Sequence, residues 1–289
     1  MSLLPLRRAD HQEIDAGAVA PGAELVPGYK VVQLMRRGGR LDTYDAHSVE
    51  RDCRCVVKVV RPDREDEEHC QAALVREGSL LRDLAHPNLV RVYDVIEEPR
   101  PAVVMETLTG ATLAAVIEES TLGAVDAALL GRQLTSALSY LHGQDWLHLD
   151  VKPSNVVVQA GQAILIDLSL ATRPGDGRPH AGTYGYLAPE QITGRDLSPA
   201  TDVFGLGVTL AEALTGDLPY GEEERWAGGT SPRRTAWFFR RRLAKQPGAL
   251  TELISACIDP DPARRPSLAA LRAALDTVAA ARLLQPPGR

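Results

Sequence analysis

The sequence predicts an α+β protein with two lobes, a small β-rich lobe and a larger, mainly helical one. Short β-branched runs dominate from residue 28 to about residue 106. Longer segments with apolar residues at helical spacing dominate from about residue 107 to residue 280. A length of 289 residues suits this division, because single cores stop growing near ~250 to 300 residues.

Composition limits the partners that the protein can have. With 44% hydrophobic and 24% charged residues, the chain resembles an ordinary globular protein rather than a disordered or collagen-like one. Its 32 basic and 38 acidic residues give a formal charge of -6, so no overall positive field attracts nucleic acid or anionic membrane. No apolar run approaches the ~18 residues that span a bilayer, and no signal peptide is recognisable. We therefore expect a cytoplasmic protein with no nucleic-acid or membrane partner.

The cysteines predict packing rather than a disulfide framework. They are too few and too unevenly spaced for such a framework, and no histidine cluster joins them at zinc spacing. The two that stand one residue apart would share a sheet face. We expect reduced thiols at Cys53, Cys55, Cys70 and Cys257.

The small lobe is predicted to follow a flexible leader over residues 1–27, which is rich in Ala, Pro and Gly. One helix is expected over Ala72–Leu84, where apolar residues recur at helical spacing. The predicted strands are Tyr29–Leu34, Thr43–His47, Cys55–Val60, Leu89–Val95 and Ala102–Met105.

The larger lobe is predicted to be built on helices over Ala124–His142 and Pro199–Thr215, with short strands at Val156–Val158 and Ile164–Ile166. Residues 233–245 interleave basic and aromatic side chains, which is typical either of a solvated helix face over an apolar underside or of a docking patch. Residues 281–289 are expected to form a tail.

One segment carries groups suited to phosphoryl transfer. Asp150 can orient a hydroxyl and accept its proton, and Lys152 can neutralise a migrating phosphoryl group. Asn155 and Asp167 offer the hard oxygen ligands that Mg²⁺ prefers.

These residues, with the Pro153 that follows Lys152, resemble the catalytic segment of the eukaryotic-like Ser/Thr protein kinases of bacterial type. The resemblance runs from about residue 29 to 275 and implies a bilobal kinase fold, ATP and Mg²⁺ as cofactors, and a protein substrate with a Ser or Thr hydroxyl. It implies a lysine and helix-glutamate pair, hinge positions and other nucleotide contacts at Lys58, Glu77, Gly38, Gly39, Val56, Glu106, Leu108 and Val157.

Downstream residues extend the same resemblance. Gly182 to Glu190 resembles the family's substrate-binding segment, which includes Thr183 and ends in Ala-Pro-Glu. Asp202 is similar to the buried acid that supports the catalytic loop, and Arg265 to the ion partner of Glu190. The resemblance thus implies structural roles for these positions.

The phosphate loop departs from the family pattern. Counted back from Tyr44, the three glycine positions fall on Arg36, Gly38 and Leu41, so only the middle glycine is present. Side chains at the other two positions alter the approach of backbone amides to phosphate. Arginines here, Arg37 and Arg40 included, are either phosphate contacts or solvated loop residues.

Three readings of function stay open. An active Ser/Thr kinase has every chemical group that the template needs. A pseudokinase that binds nucleotide or acts as a scaffold would explain the altered loop and Val56, where alanine is usual. A small-molecule phosphotransferase of the aminoglycoside-kinase type shares the acid and metal pair, but the substrate segment favours proteins.

Regulation is expected to differ from that of many relatives. Leu149 replaces the arginine that pairs with a phosphorylated activation loop, and Leu168-Ser169 replaces the usual Phe-Gly. The sequence predicts activity without loop phosphorylation, and it leaves room for a separate regulatory partner.

Overall fold

The computed structural model describes residues 17–221 and 235–280, and the chain divides into two compact units. The first unit runs to Ala85 and includes Arg91–Thr107, and the second contains His86–Val90 and the chain from Leu108 onward. The first is rich in strands and the second mainly helical, so the predicted α+β class and small-to-large order are confirmed.

The first unit is an antiparallel sheet with the strand order β1-β2-β3-β4-β6-β5. Alternate residues of its middle strands, among them Tyr44, Ala46, Val57 and Val59, are buried and form the core on one face. The strands are β1 (Glu24–Val26), β2 (Tyr29–Arg37), β3 (Leu41–Ser48), β4 (Cys53–Val60), β5 (Val92–Ile96) and β6 (Ala102–Glu106).

Helix α1 (Glu68–Asp83) packs on this sheet and begins four residues before the predicted start at Ala72. It buries Leu74 and Leu81. Gly78 faces the sheet so closely that a Cβ atom built there would lie 2.5 Å from Cγ2 of Val103 on β6. A glycine is therefore required at this contact.

The flexible leader predicted over residues 1–27 is wrong at its C-terminal end. Glu24–Val26 forms β1, which pairs with β2, and Leu25 and Val26 are buried in the core. Alternation is hard to recognise in so short a strand, which explains the error. Residues 1–16 lie outside the described residues.

The predicted strand Leu89–Val95 is wrong at its start. Leu89 and Val90 belong to the second unit, where the N–H of Val90 donates to the carbonyl of Leu165 at 2.9 Å, and β5 begins only at Val92. The predicted strand is one segment in sequence, but its residues are divided between the two units.

The second unit combines a three-stranded sheet with a helical core. Its described strands are β7 (Ala111–Thr112), β8 (Val156–Gln159) and β9 (Gln162–Leu165). Its described helices are α2 (Leu113–Glu119), α3 (Ala124–Gly143), α4 (Pro189–Thr193), α5 (Pro199–Thr215), α6 (Trp237–Leu243), α7 (Gly248–Cys257) and α8 (Leu268–Ala280).

Helix α5 is buried on almost every side, which suits its predominantly apolar sequence. Helix α6 is different. Phe239 is buried, whereas Trp237 and Phe238 are 61% and 69% exposed, so the expected apolar underside includes only part of the aromatic cluster. Arg233 and Arg234 of the basic run, and the predicted tail 281–289, lie outside the described residues.

Within residues 17–221 and 235–280, none of the helices combines the length and the apolar character needed to cross a bilayer.

Candidate active site

The first unit joins Lys58 on β4 to Glu77 on α1. The Nζ of Lys58 lies 2.9 Å from the Oε1 of Glu77, and their side chains are only 11% and 2% exposed. Because two charged groups are costly to bury unless they are paired, the ion pair fixes the lysine in one position. Gly78, which the sequence analysis did not single out, helps to set that position by letting α1 approach the sheet.

The turn between β2 and β3 holds the altered phosphate loop. The N–H of Gly38 donates to the carbonyl of Leu41 at 2.8 Å, and a Cβ at Gly38 would lie 3.0 Å from that oxygen. Gly39 is exposed at the tip of the turn, beside the exposed Arg40.

Arg37 has a defined role in this turn. Its Nε and Nη2 donate to Oδ1 and Oδ2 of the fully buried Asp42 at 3.0 and 2.8 Å. A bidentate bond of this kind anchors the base of the hairpin. The solvated alternative is therefore wrong for Arg37, whose side chain is 14% exposed, while Arg36 and Arg40 are exposed. A phosphate contact stays a prediction for all three.

The other predicted nucleotide contacts lie on several elements. Val56 is half-buried on β4 opposite Met105, and Val157 is buried on β8. Glu106 ends β6, and both its N–H and its Oε1 bond to the backbone of Arg91, at 3.0 and 2.8 Å. Leu108 is the first residue after Thr107 and belongs to the second unit.

The second unit gathers the predicted catalytic groups into one hydrogen-bonded network around Asp150. Lys152 Nζ donates to Asp150 Oδ2 at 2.7 Å and to Thr183 Oγ1 at 2.6 Å. Thr183 in turn donates to Asp150 Oδ1 at 2.7 Å, and Asn155 Nδ2 donates to Asp150 Oδ2 at 3.0 Å. Both carboxylate oxygens are therefore held in a fixed orientation.

Asn155 and Asp167 offer oxygen ligands for a divalent cation. The side-chain nitrogen of Asn155 donates to the backbone carbonyl and to the carboxylate of Asp150, which leaves the amide oxygen to bind a metal. Its own carbonyl accepts from the N–H of Ile166 at 3.1 Å, which ties the loop to the segment of Asp167. Asp167 Oδ1 accepts from the N–H of Ser169 at 2.9 Å. The donor set fits Mg²⁺.

Asp202 anchors the catalytic loop from beneath. Its Oδ2 and Oδ1 accept from the backbone N–H groups of His148 and Leu149 at 2.8 Å each, and Oδ2 lies 2.7 Å from His142 Nε2. Burial by itself would raise the pKa of Asp202, but the hydrogen bonds from His142 and the His148 backbone outweigh burial and lower this pKa. The buried carboxylate is therefore stable in its ionised form.

Glu190 and Arg265 form a bidentate pair below the substrate segment. Arg265 Nη1 and Nη2 donate to Oε1 and Oε2 of Glu190 at 2.6 and 3.0 Å, and the arginine side chain is fully buried. Its remaining donors bond to backbone carbonyls, including those of Asp259 and Ala200. The pair thus joins α4 to the chain that precedes α8.

Gln191 is a structural residue that the sequence analysis missed. Its Nε2 donates to the carbonyls of Leu149 and Ala181 at 2.9 and 2.7 Å, and its Oε1 accepts from the N–H of Ala188. One buried amide therefore links the catalytic loop to the substrate segment. The available signal was its place in the first turn of a helix, where Gln often caps the backbone.

Leu149 occupies an apolar cluster. It is 5% exposed and packs with Leu147 and Leu197, with the half-buried Leu170 against them. Its φ angle of 64° lies in the left-handed region, which a leucine adopts only when the surrounding structure holds it there. Asp202 and Gln191 supply that support through the Leu149 N–H and carbonyl.

Comparison with protein families decides the family question. Residues 29–275 match the family model described as the protein kinase domain. The chain belongs to the protein kinase family. Within it, the Ser/Thr kinase PkaA of Streptomyces coelicolor is 35% identical over 77% of this chain and 42% of its own length.

Other members are similar at lower identity. The Ser/Thr kinase PknD of Mycobacterium tuberculosis is 29% identical over 84% of this chain and 38% of its own length. PrkC of Bacillus subtilis is 29% identical over 70% of this chain and 32% of its own length. The chain thus spans less than half the length of these bacterial relatives.

Proposed function

We propose that this chain is a Ser/Thr protein kinase that transfers the γ-phosphoryl group of ATP to protein hydroxyl groups. The observation that carries the proposal is the network in which Lys152, Thr183 and Asn155 all bond to the Asp150 carboxylate. A pre-oriented acid with a cation beside it is what phosphoryl transfer requires, since catalysis there is mainly positioning and electrostatics.

In the proposed reaction, the substrate hydroxyl donates its hydrogen bond to Asp150. The hydroxyl oxygen forms the new bond to the γ-phosphorus as the bond to the β–γ bridging oxygen breaks, and ADP leaves. Asp150 accepts the proton, and Lys152 stabilises the negative charge on the migrating phosphoryl group. Thr183 holds both side chains in the necessary arrangement.

On the nucleotide side, Lys58 contacts the ATP phosphates and Glu77 holds it in place. Val56 and Val157 are the proposed apolar contacts of the adenine. Backbone groups of Glu106 and Leu108 are the candidates for its hydrogen bonds. Gly38 and Gly39 are the proposed part of the loop nearest the phosphates. Asn155 and Asp167 are the proposed Mg²⁺ ligands, and this ion would neutralise phosphate charge when bound. These assignments follow the family pattern.

We further propose that activity does not require phosphorylation of the segment between Asp167 and Glu190. The apolar packing of Leu149 occupies the position where an arginine would bind a phosphate. Thr183 already bonds to Asp150 and Lys152, so a phosphate on this hydroxyl would disrupt the network. Cytoplasmic location and a separate regulatory partner stay predictions.

The test is transfer of labelled γ-phosphate from Mg-ATP to the chain itself or to a generic protein substrate. Asp150→Asn should lower the rate by about 10²- to 10⁴-fold, the usual contribution of a general base. Asp145→Asn is the matched control, because Asp145 is exposed in the same loop at a positive φ that asparagine tolerates. The control should retain the wild-type rate.

If no phosphate is transferred, the thermal shift with Mg-ATP distinguishes two alternatives. No transfer together with a Mg-ATP thermal shift would support a nucleotide-binding pseudokinase instead. No transfer and no thermal shift would support a scaffold. Transfer that Asp150→Asn leaves unchanged would refute the assigned role of Asp150.

A further inference from the structure

A cluster of metal-ligating side chains lies at the start of α1, on residues to which no role has been assigned above. Glu67, His69 and Cys70 each offer one ligand atom, and these atoms all lie within 4.8 Å of one another. Cys70 Sγ lies 3.2 Å from Glu67 Oε2 and 3.5 Å from His69 Nε2, and His69 Nε2 lies 3.4 Å from Glu67 Oε2. The three atoms therefore form a nearly equilateral triangle.

The size of this triangle matches one face of a zinc tetrahedron. With Zn–S near 2.3 Å and Zn–N and Zn–O near 2.0 Å, tetrahedral angles put the ligand atoms roughly 3.3 to 3.6 Å apart. Thiolate and imidazole are also donors that favour zinc over magnesium. We propose that Glu67, His69 and Cys70 bind one Zn²⁺ ion, with the fourth position open to solvent.

The exposure of the side chains fits such an open site. Cys70 is 1% exposed and forms its floor, whereas His69 and Glu67 are 66% and 34% exposed at its rim. Zinc motifs usually show paired cysteines or clustered histidines along the chain, and neither pattern occurs around Cys70. Here all three donors come from one turn, since the N–H of Cys70 bonds to the Glu67 carbonyl at 2.8 Å.

Positive charge lies beside the site. Arg64 donates to both carboxylate oxygens of Glu67 at 3.0 and 3.3 Å, and the N-terminus of α1 adds partial positive charge. Both oppose a cation. The Cys70 thiol loses its proton to solvent on binding, so a thiolate and a carboxylate together balance the charge of Zn²⁺.

The test uses the full chain after removal of metal with a chelator. Zn²⁺ is titrated in competition with a chromophoric chelator, and Co²⁺ is added separately to detect a thiolate-to-cobalt charge-transfer band. We expect one site per chain and a Co²⁺ band in the wild type. Each of His69→Ala, Glu67→Gln and Cys70→Ser should weaken Zn²⁺ binding more than about tenfold, since loss of even outer-shell partners costs about that much.

His47→Ala is the matched control. His47 Nε2 lies 3.3 Å from Asp52 Oδ1, so it offers a histidine and carboxylate pair without a thiol. The His47→Ala variant should keep the wild-type affinity for Zn²⁺. Among the site variants, His69→Ala changes an exposed side chain and so avoids the risk of misfolding that a change at buried Cys70 carries. Absence of a Co²⁺ band and of Zn²⁺ competition in the wild type would overturn the proposal, as would unchanged affinity in His69→Ala.

Discussion

The catalytic loop in the second unit and the β2–β3 turn in the first unit follow the kinase pattern to different degrees. Around Asp150 the polar side chains bond to one another in a closed network. In the turn, Gly38 keeps its family position, but Arg36 and Leu41 replace glycines, and Arg37 is held by Asp42. The comparison indicates that the groups proposed for the chemical step follow the family pattern, while the predicted phosphate loop departs from it.

The largest effect is expected at Asp202, which holds the backbone of the loop that carries Asp150. Asp202→Asn keeps the shape of the side chain but replaces one acceptor oxygen by an NH₂ group, which cannot accept the hydrogen bond of a backbone N–H. Loss of this buried charged acceptor should lower the free energy of unfolding by about 3 kcal/mol at pH 7. Urea denaturation measures the change, and Asp196→Asn, an exposed position with positive φ, is the matched control.

The pH dependence of this difference follows from the lowered pKa of Asp202. A carboxylate with a lowered folded-state pKa stabilises the protein fully above its unfolded pKa of about 3.9 and loses that contribution as pH falls through the folded value. The gap between wild type and Asp202→Asn should therefore shrink as the pH falls below about 4. A gap that persists undiminished in acid would contradict the assigned cause.

A second effect is expected from the hydroxyl that joins Asp150 to Lys152. Thr183→Val removes both bonds at nearly constant volume and should lower kcat by roughly 10- to 100-fold, because hydrogen bonds to charged groups contribute about 1.5 to 3 kcal/mol. Thr172→Val is the control, since the bonds described for Thr172 use its backbone, and it should be close to wild type. Steady-state kinetics with a protein substrate measure both.

The same position tests independence from phosphorylation. Thr183→Glu should be no more active than Thr183→Val, because its carboxylate would face that of Asp150. Restoration of activity by Thr183→Glu would contradict the proposed regulation.

The Lys58–Glu77 ion pair allows a third test, in the first unit rather than in the second. Glu77→Gln keeps a hydrogen-bond acceptor for Lys58 but removes the charge, so the lysine should be held less firmly. We expect about a tenfold loss of kcat/KM for ATP, equal to about 1.4 kcal/mol. Glu68→Gln, on the exposed start of the same helix, should change neither parameter.

The sequence predicted those parts of the fold whose signal is local. Pro199–Thr215 was placed with its correct bounds because a proline at its start and a glycine after its end delimit a long apolar run. The start of α1 was missed because Glu68 and His69 are polar, although they belong to its first turn. β1 was missed because a strand of three residues is too short to show a clear alternation of apolar and polar residues.

The residues of the site were identifiable to the extent that their types are characteristic. Asp150, Lys152 and Asn155 occur at a spacing that indicates phosphoryl transfer, and the structure brings them together. Gly78 acts through close packing and Gln191 through hydrogen bonds to the backbone. Neither role has a characteristic residue pattern in the sequence. The ion pair of Arg37 was missed because the buried position of Asp42 cannot be derived from a loop of mixed charges.

The smallest effect is expected in the β2–β3 turn. Arg36→Gly with Leu41→Gly restores two glycines, and if side chains there hold the backbone away from phosphate, the KM for ATP should fall by about threefold with kcat unchanged. Arg37 is left in place, because its bond to Asp42 anchors the hairpin that the substitutions are meant to adjust. An unchanged KM would mean that neither side chain hinders phosphate. A higher KM would mean that Arg36 or Leu41 itself contributes to nucleotide binding. The turn would then be a different solution to phosphate binding rather than a weakened one.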